Sequence, residues 1–473
     1  MTAGAQDFDV IVIGSGPAGQ KAAIQAAKAG RRVAVMERDR HVGGACVHTG
    51  TIPSKALREH ALRQRVRRVD LSDAPIKYLL DGVSETIAAH DAYMAAQLER
   101  NHISLLRGRA SFVSPHELAM QRIDGSRVVL RAPVIIIATG SRPRAPAHLA
   151  VDHEHVLDSD SILSLAYLPR SLLVLGGGVI ASEYAAMFAA LGCKVTQADQ
   201  LERPLAFLDP ELTGFHLDEL RRNGGEYLPN AEAAELRWDG VSQVRAGFKD
   251  GRTITADKVL VALGRRANVD TLNLDAAGIQ LSDRGHVRVN EDLQTTARGV
   301  YAAGDVIGPP ALASVSMEQG RRAACHALGL LVPSDPVSRL PVGVYTIPEI
   351  ATVGLDEYGA RRHFGGALVG RARFEEIARG QINGCQRGLL KLIADAGGRR
   401  VVGVQIAGDS ATELVHIGQL GLAAELDVDA YVDNVFNFPT MAEAYRVAAL
   451  DIVKQRATLT GNERVADAVA AIL

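Results

Sequence analysis

This sequence lacks the features that would commit a chain to nucleic acid or to a membrane. Its 52 Lys and Arg residues nearly balance 54 Asp and Glu residues, which gives a formal net charge of -2. That balance argues against a basic surface for nucleic acid or anionic lipid. No apolar run approaches the ~18 residues of a membrane span. Residues 1–8 are polar and show no signal-peptide pattern, so we expect a cytoplasmic protein without membrane contact.

Paired cysteines are also missing. The four cysteines, Cys46, Cys193, Cys325 and Cys385, are scattered along the chain. Their spacing matches neither a metal site nor a disulfide framework. We therefore predict no metal site.

What is present is an alternation of short β-branched runs with Ala-rich stretches, which is typical of parallel sheets covered by helices. At 473 residues the chain is too long for one hydrophobic core. After residue 340 the glycine motifs stop, and strands at 388–393 and 401–406 mix with helices at 412–425 and 440–456. The predicted fold class is α/β, with two Rossmann-like dinucleotide-binding domains and a C-terminal α+β domain. The tail, 461–473, is predicted as a short helix without an assigned role.

The first glycine motif is Gly14-x-Gly16-x-x-Gly19, between a strand at 9–13 and an Ala-rich helix. Gly14 permits a tight turn, Gly16 lets a pyrophosphate approach the backbone, and Gly19 lets helix and strand pack closely. The helix N-terminus offers free N–H groups to the diphosphate. The next strand ends in Glu37, whose carboxylate can accept from ribose hydroxyls. Together these features predict a dinucleotide site.

A second motif, Gly176-x-Gly178-x-x-Ala181, follows a strand at 171–175. Its second strand, near Val195, ends at Asp199, an acid that favours a free 2′-hydroxyl and hence NAD. Arg203 lies close enough to turn toward a 2′-phosphate, and a solvated surface charge is the alternative. The preference between NAD and NADP therefore stays open.

Two later segments extend the first dinucleotide site. An apolar strand at 135–138 ends in Thr139 and Gly140, a small-residue turn that fits against a cofactor. Asp305 follows another strand and a glycine turn at Gly304. In this order with the two glycine motifs, these segments indicate FAD.

These motifs resemble the pyridine nucleotide–disulfide oxidoreductase family over nearly the whole chain. The resemblance implies that Glu37 holds the adenosine ribose, that Asp305 holds the ribityl chain of FAD, and that each active site is completed by a partner chain. It divides the chain into an FAD-binding domain at 1–150 and 271–340, an NAD(P)-binding domain at 151–270 and a dimerisation domain at 341–473. The expected assembly is a homodimer or a higher oligomer.

Two departures from the family pattern concern the disulfide chemistry. The family's redox segment, Gly-Gly-x-Cys-x-x-x-x-Cys-x-Pro-Ser-Lys, runs here from 43 to 55, with Cys46 kept and Thr51 in place of the second cysteine. A hydroxyl cannot form a disulfide. Near the C-terminus Phe438 stands where disulfide reductases carry a histidine base, and Glu443 remains. We therefore predict that the protein is not a thiol–disulfide enzyme.

The runs 46–58, 205–209 and 436–450 are similar to family members that exchange hydride between NADPH and NAD+ through FAD, a transhydrogenase activity of the Si-specific type. The resemblance implies ping-pong transfer and places Lys55 and Glu183 as a catalytic ion pair beside the flavin. Val179 is expected to border the nicotinamide. The predicted FAD-binding residues are Gly14, Gly16, Gly19, Glu37, Cys46, Thr51, Lys55, Thr139, Gly140 and Asp305. The predicted NAD(P)-binding residues are Gly176, Gly178, Val179, Ala181, Glu183, Asp199, Arg203 and Gly264.

Several alternatives stay open. Cys46 is either a small packing residue beside the flavin or a single redox-active thiol cycling through sulfenic acid. Lys55 and Glu183 have solvated-surface alternatives. A flavin-dependent NAD(P)H:quinone reductase, or diaphorase, is a second candidate function. The third is an FAD-bound redox sensor that acts through a binding partner.

Overall fold

The computed structural model of the protein describes residues 6–67, 77–332 and 340–461, and it describes side chains outside 64–81. The predicted helix at 461–473 lies, beyond its first residue, outside the described residues. Within them, no helix is long and apolar enough to cross a membrane.

The first Rossmann-like unit is a five-stranded parallel sheet. In spatial order its strands are Val300–Ala302, Val134–Ile137, Val10–Ile13, Val33–Glu37 and Ser104–Arg107. Ile11 and Ile13 face one apolar cluster, whereas Val10 and Val12 face another. Because helices or further strands cover both faces, these strands are continuous apolar runs rather than alternating ones. The unit's helices are Pro17–Lys28, Gly44–His48, Thr51–Arg67, Lys77–Arg100 and Ala313–Ala327.

A second sheet extends this unit. It contains Gln6–Asp7, Arg127–Arg131, Glu117–Gln121 and Arg109–Ser114 in spatial order. The short strands Ser141–Pro143 and Arg265–Ala267 pair antiparallel. This ribbon connects the first unit to the second, so it lies where the two units meet.

The second Rossmann-like unit repeats the plan. Its parallel strands are, in spatial order, Val156–Leu157, Lys258–Val261, Ser171–Leu175, Lys194–Ala198 and Glu226–Leu228. Its helices are Val179–Ala190 and Pro210–Arg222, and an antiparallel sheet of Ala233–Trp238, Val244–Phe248 and Thr253–Ala256 packs beside them. The order places the strand 171–175 at the centre, and the second glycine motif follows its carboxyl end.

The C-terminal part is an antiparallel sheet with helices. Its strands are, in spatial order, Val342–Val344, Ile350–Gly354, Val401–Ala407, Leu389–Ala394 and Leu368–Arg373. Its helices are Glu357–Phe364, Ala378–Asn383, Ala411–Ala423, Val428–Asp433 and Glu443–Leu459. Four short 3₁₀ helices complete the described elements: Ser161–Ser164, Leu274–Ala277, Asp305–Ile307 and Phe374–Glu376. Two Rossmann-like units with a C-terminal α+β unit confirm the predicted fold class, whereas the domain boundaries stay predictions.

Candidate functional site

A single cleft of about 1600 Å³ is lined by both glycine motifs. It exceeds the ~300–1,000 Å³ of ordinary small-molecule pockets, which suits two dinucleotides in contact. Of the predicted site residues, the cleft is lined by Gly14, Gly16, Glu37, Cys46, Thr51, Lys55, Thr139, Gly140, Asp305, Gly176, Gly178, Val179, Glu183, Asp199 and Gly264. Gly19, Ala181 and Arg203 do not line it.

The first glycine turn leaves space that a dinucleotide phosphate can enter. Gly14 has a φ of +102°, and a Cβ on Gly19 would lie 1.9 Å from the carbonyl oxygen of Gly14. Gly19 therefore acts through close packing, which explains why it does not line the cleft. Beside Gly16, by contrast, the nearest atom to a built Cβ is 3.9 Å away. The helix Pro17–Lys28 starts there without a side-chain cap, so its first N–H groups are available to an anion.

Glu37 is held at the end of its strand with its carboxylate in the cleft. Oε2 accepts from the backbone N–H of Ser15 at 2.9 Å and from its hydroxyl at 2.6 Å, while Oε1 accepts from the N–H of Asp39 at 3.0 Å. A carboxylate has about four acceptor positions. One therefore remains for a ribose hydroxyl.

The segment around Thr139 provides a second test of the fit to FAD. Thr139 lines the cleft, and its hydroxyl is buried without a hydrogen-bond partner among the described residues. A buried hydroxyl of this kind costs free energy unless a ligand satisfies it. Asp305 accepts from the Ser141 hydroxyl at 2.7 Å, and that hydroxyl accepts from Arg265 Nε at 2.8 Å. The residues present therefore fit FAD, since Thr139 and Asp305 both line the cleft.

The second glycine turn has the same construction. Gly176 has a φ of +127°, and a Cβ there would lie 2.5 Å from the carbonyl oxygen of Ala262. Space is open beside Gly178, where the uncapped helix Val179–Ala190 begins. Ala181 is fully buried, which is the packing role of the motif's third position. Gln197 Nε2 donates to the carbonyl of Gly176 at 3.0 Å and supports the turn from below.

Asp199 and Arg203, the two residues predicted to contact the 2′-hydroxyl or 2′-phosphate of the nucleotide, are placed differently. Asp199 lines the cleft, and its Oδ1 accepts from the N–H of Leu201 at 2.8 Å. Arg203 turns its guanidinium to the carbonyl of Ala206 at 2.8 Å, with a longer contact to the carbonyl of Leu205 at 3.4 Å. In this arrangement Asp199 lines the cleft, whereas Arg203 donates to carbonyls of its own loop and to the Thr213 hydroxyl.

Lys55 and Glu183 form the predicted ion pair. Lys55 Nζ donates to Glu183 Oε2 at 2.8 Å, and Glu183 Oε1 accepts from the N–H of Tyr345 at 2.9 Å. Glu183 is 5% exposed and Lys55 26% exposed. Lys55 also lies 4.8 Å from the centre of the Tyr345 ring. Neither residue is therefore a solvated surface charge.

Cys46 and Thr51 face each other in the redox segment. Burial raises the pKa of the Cys46 thiol, and this effect outweighs the hydrogen bond with Thr51 and the charge of Lys55, both of which lower it. The thiol is therefore protonated at neutral pH, which disfavours a nucleophile. All four cysteines, each within the described residues, are free.

The prediction missed Ser141 and Tyr345, which also line the cleft. Ser141 follows Gly140 directly, so its adjacency was an available signal. Tyr345 contributes its backbone N–H, which leaves no trace in the sequence.

Phe438 is 69% exposed and does not line the cleft, and Glu443 Oε2 is buried without a hydrogen-bond partner among the described residues. In those residues, no group of His, Cys, Asp and Glu side chains could hold a metal ion.

The fold and the cleft define a two-dinucleotide oxidoreductase. The chain belongs to the pyridine nucleotide–disulphide oxidoreductase family, whose model matches residues 8–320, with the family's dimerisation domain at 340–449. Its cofactor is accordingly FAD and its substrate NAD(P).

Relatives and solved structures agree with this assignment. The soluble pyridine nucleotide transhydrogenase of Mycobacterium tuberculosis (strain ATCC 25177 / H37Ra) is 42% identical and covers 97% of this chain and 100% of its own length. The protein of the same name from Klebsiella pneumoniae is 40% identical over 94% of this chain and 98% of its own. The HOCl-induced flavoprotein disulfide reductase RclA from Escherichia coli superposes with a TM-score of 0.86 at 27% identity, over 93% of this chain and 99% of its own.

Proposed function

We propose that this protein is an FAD-dependent transhydrogenase of the Si-specific type, which exchanges hydride between NADPH and NAD+ by a ping-pong mechanism without a redox-active disulfide. The observation that carries the proposal is the pair Cys46 and Thr51 in the cleft that both glycine motifs line. A hydroxyl opposite the thiol leaves no sulfur pair to take electrons from the flavin. The names of the relatives at 42% and 40% identity support the same activity.

FAD, when bound, supplies a carrier that accepts a hydride from one nicotinamide and returns it to the other. The residues of the chain bind and orient the two dinucleotides, and this positioning is their main contribution to the rate. Glu37, Thr139 and Asp305 hold the first dinucleotide, and the turn at Gly176 holds the second. Because a single second site accepts both nicotinamide nucleotides, one must leave before the other binds.

Lys55 has the electrostatic role. Its ammonium lies against Glu183, which is fixed in turn by the N–H of Tyr345. A fixed positive charge in a half-buried site stabilises negative charge that develops beside it. The protonated Cys46 thiol provides packing against the flavin rather than a nucleophile.

The test is an anaerobic assay with NADPH as donor and thio-NAD as acceptor. Parallel reactions contain oxidised glutathione, lipoamide or a soluble quinone in place of thio-NAD. We expect reduced thio-NAD with parallel-line ping-pong kinetics and no turnover of either disulfide. Rapid quinone turnover without thio-NAD reduction would replace the proposal with a quinone reductase. Negligible turnover of every acceptor would favour a redox sensor.

The assembly is part of the proposal. A match to the family's dimerisation domain at 340–449 supports a homodimer. Sedimentation of the FAD-loaded protein at micromolar concentration tests this, and a monomer at that concentration would contradict it.

A further inference from the structure

A buried lysine in the C-terminal sheet contacts the second Rossmann-like unit. Lys391 lies in the strand Leu389–Ala394, and its side chain is only 2% exposed. Its Nζ donates to Asp209 Oδ2 at 2.6 Å, across 182 residues of sequence. Burying an ammonium costs free energy unless it is paired and hydrogen-bonded. The position of Asp209 relative to Lys391 is therefore tightly constrained.

The lysine is fully paired. Its Nζ also lies 3.0 Å from Glu211 Oε2 and 3.2 Å from Glu357 Oε2, and Arg371 bridges the same two glutamates. Burial acts to lower the pKa of Lys391, but the hydrogen bonds to Asp209 and Glu211 outweigh it and raise the pKa. Lys391 is therefore charged at neutral pH, and its carboxylate partners are held to it.

Asp209 in turn connects a helix to the loop that contacts the second glycine turn. It caps the helix Pro210–Arg222 by accepting from the N–H of Glu211 at 2.8 Å. It also ends the loop that starts at Asp199, which lines the cleft. Within this loop the N–H of Leu205 donates to the carbonyl of Gly177 at 2.7 Å, and the Leu205 side chain is 1% exposed.

A continuous series of short contacts therefore joins the C-terminal sheet to the second glycine turn. It runs from Lys391 to Asp209, along the loop to Leu205, and across one hydrogen bond to Gly177. Leu205 also packs in an apolar cluster with Val344 and Ile350 of the C-terminal sheet. The loop thus contacts the C-terminal sheet through the ion pair of Asp209 and the apolar packing of Leu205. It contacts the glycine turn through the hydrogen bond from Leu205 to Gly177.

We infer that Lys391 is a positioning residue for the pyridine nucleotide, because it fixes the loop from Asp199 to Asp209 and through it the glycine turn at Gly177. The inference rests on the proposed function in one respect, namely that the second glycine motif binds the nucleotide. It makes the affinity for NAD(P) a property of two parts of the chain rather than of the Rossmann-like unit alone.

The test measures nucleotide binding directly. The oxidised, FAD-loaded enzyme is titrated calorimetrically with NADP+ and, separately, with NADH analogues that cannot transfer hydride. The variants are Lys391→Met and the milder Asp209→Asn, which keeps a helix-capping side chain. We expect each to raise the dissociation constant about fivefold to tenfold, with the FAD absorbance spectrum unchanged. In the double variant the increase should not exceed that of the stronger single variant, because both changes break the same contact.

The matched control is Arg387→Met. Arg387 joins the same C-terminal unit to the same helix, through Glu219 at 3.0 Å, but near the helix's C-terminal end, away from the loop. The nucleotide dissociation constant of Arg387→Met should stay within about twofold of that of the unsubstituted enzyme. An equal effect of the control would indicate general loosening of the two units and overturn the inference.

Unchanged affinity in both Lys391→Met and Asp209→Asn would overturn it as well, as would strictly additive effects in the double variant. Should Lys391→Met fail to fold, Asp209→Asn alone decides the matter. If the unsubstituted enzyme bound no nucleotide, the proposed function itself would fail, which is distinguishable from failure of the positioning role alone.

Discussion

Lys55 Nζ lies 2.8 Å from Glu183 Oε2, although 128 residues separate them in the sequence. One side chain comes from the helix Thr51–Arg67, and the other from the helix that the second glycine turn starts. The second carboxylate oxygen of Glu183 accepts from Tyr345, at the edge of the C-terminal sheet. All three parts of the fold therefore meet at one ion pair.

Replacing Lys55 with methionine tests whether this charge assists hydride transfer. We expect Lys55→Met to slow reduction of the bound flavin by NADPH about 10- to 100-fold, because the positive charge that we propose beside the flavin is lost. The rate is measured by anaerobic stopped-flow absorbance. Lys249→Met is the matched control, since Lys249 forms an exposed pair with Glu232 in the second Rossmann-like unit. Equal rates in Lys55→Met and the unsubstituted enzyme would remove Lys55 from the mechanism.

Restoring the missing sulfur tests whether Thr51 is the reason that no disulfide forms. Because the Thr51 side chain lies close enough to the Cys46 thiol to lower its pKa, a second thiol at 51 would face the first. We expect Thr51→Cys to form a disulfide in air and to take up about four electrons per subunit in an anaerobic dithionite titration. The unsubstituted enzyme and the control Thr51→Ser should each take up about two. Uptake of four electrons by the unsubstituted enzyme would mean that Cys46 has another redox partner.

The nucleotide preference is expected to depend on Asp199. Its carboxylate lines the cleft, whereas Arg203 binds backbone carbonyls of its own loop, so a 2′-phosphate meets a negative charge. Asp199→Ser should raise the ratio of kcat/KM for NADPH over NADH about tenfold. Flavin reduction by each nucleotide under single-turnover conditions gives this ratio. Glu202→Ser, an exposed acid outside the cleft lining, should leave the ratio unchanged, and a similar rise there would point to general charge effects.

The fold could be predicted from the sequence because its signals are local. Each parallel strand is a short apolar run, and each glycine motif lies between a strand and an Ala-rich helix. In the structure the two motifs start the helices Pro17–Lys28 and Val179–Ala190, with the positive φ angles at Gly14 and Gly176 that the tight turn requires. These requirements involve neighbouring residues only.

The parts of the site that could not be predicted depend on contacts between distant residues. Arg203 was a candidate phosphate ligand from its position, and only the folded loop shows that its guanidinium binds Ala206. The N–H of Tyr345 and the buried Lys391 have no motif around them. Their roles follow from how the C-terminal sheet packs against the second unit, which periodicity and spacing do not encode.

A buried histidine beneath the second glycine turn predicts a dependence of stability on pH. His216 is fully buried, its Nδ1 has no hydrogen-bond partner among the described residues, and burial lowers its pKa from 6.5 to about 4. As the pH falls below about 6.5, the unfolded chain binds a proton that the folded protein excludes until about pH 4. Stability contributed by this residue is therefore lost as the pH falls through that interval, by about 2 kcal/mol between pH 7 and pH 5.

His216→Gln should remove this loss, because glutamine does not titrate there. We expect the apparent Tm, followed by FAD fluorescence, to fall less between pH 7 and pH 5 in the variant than in the unsubstituted enzyme, by a few degrees. The exposed His148 provides the control, and His148→Gln should keep the full decrease. An identical decrease in His216→Gln would show that His216 takes up its proton in the folded state near its ordinary pKa. A protonated His216 would then be compatible with the turn at Gly176, to which Gln197 connects it by contacting both residues.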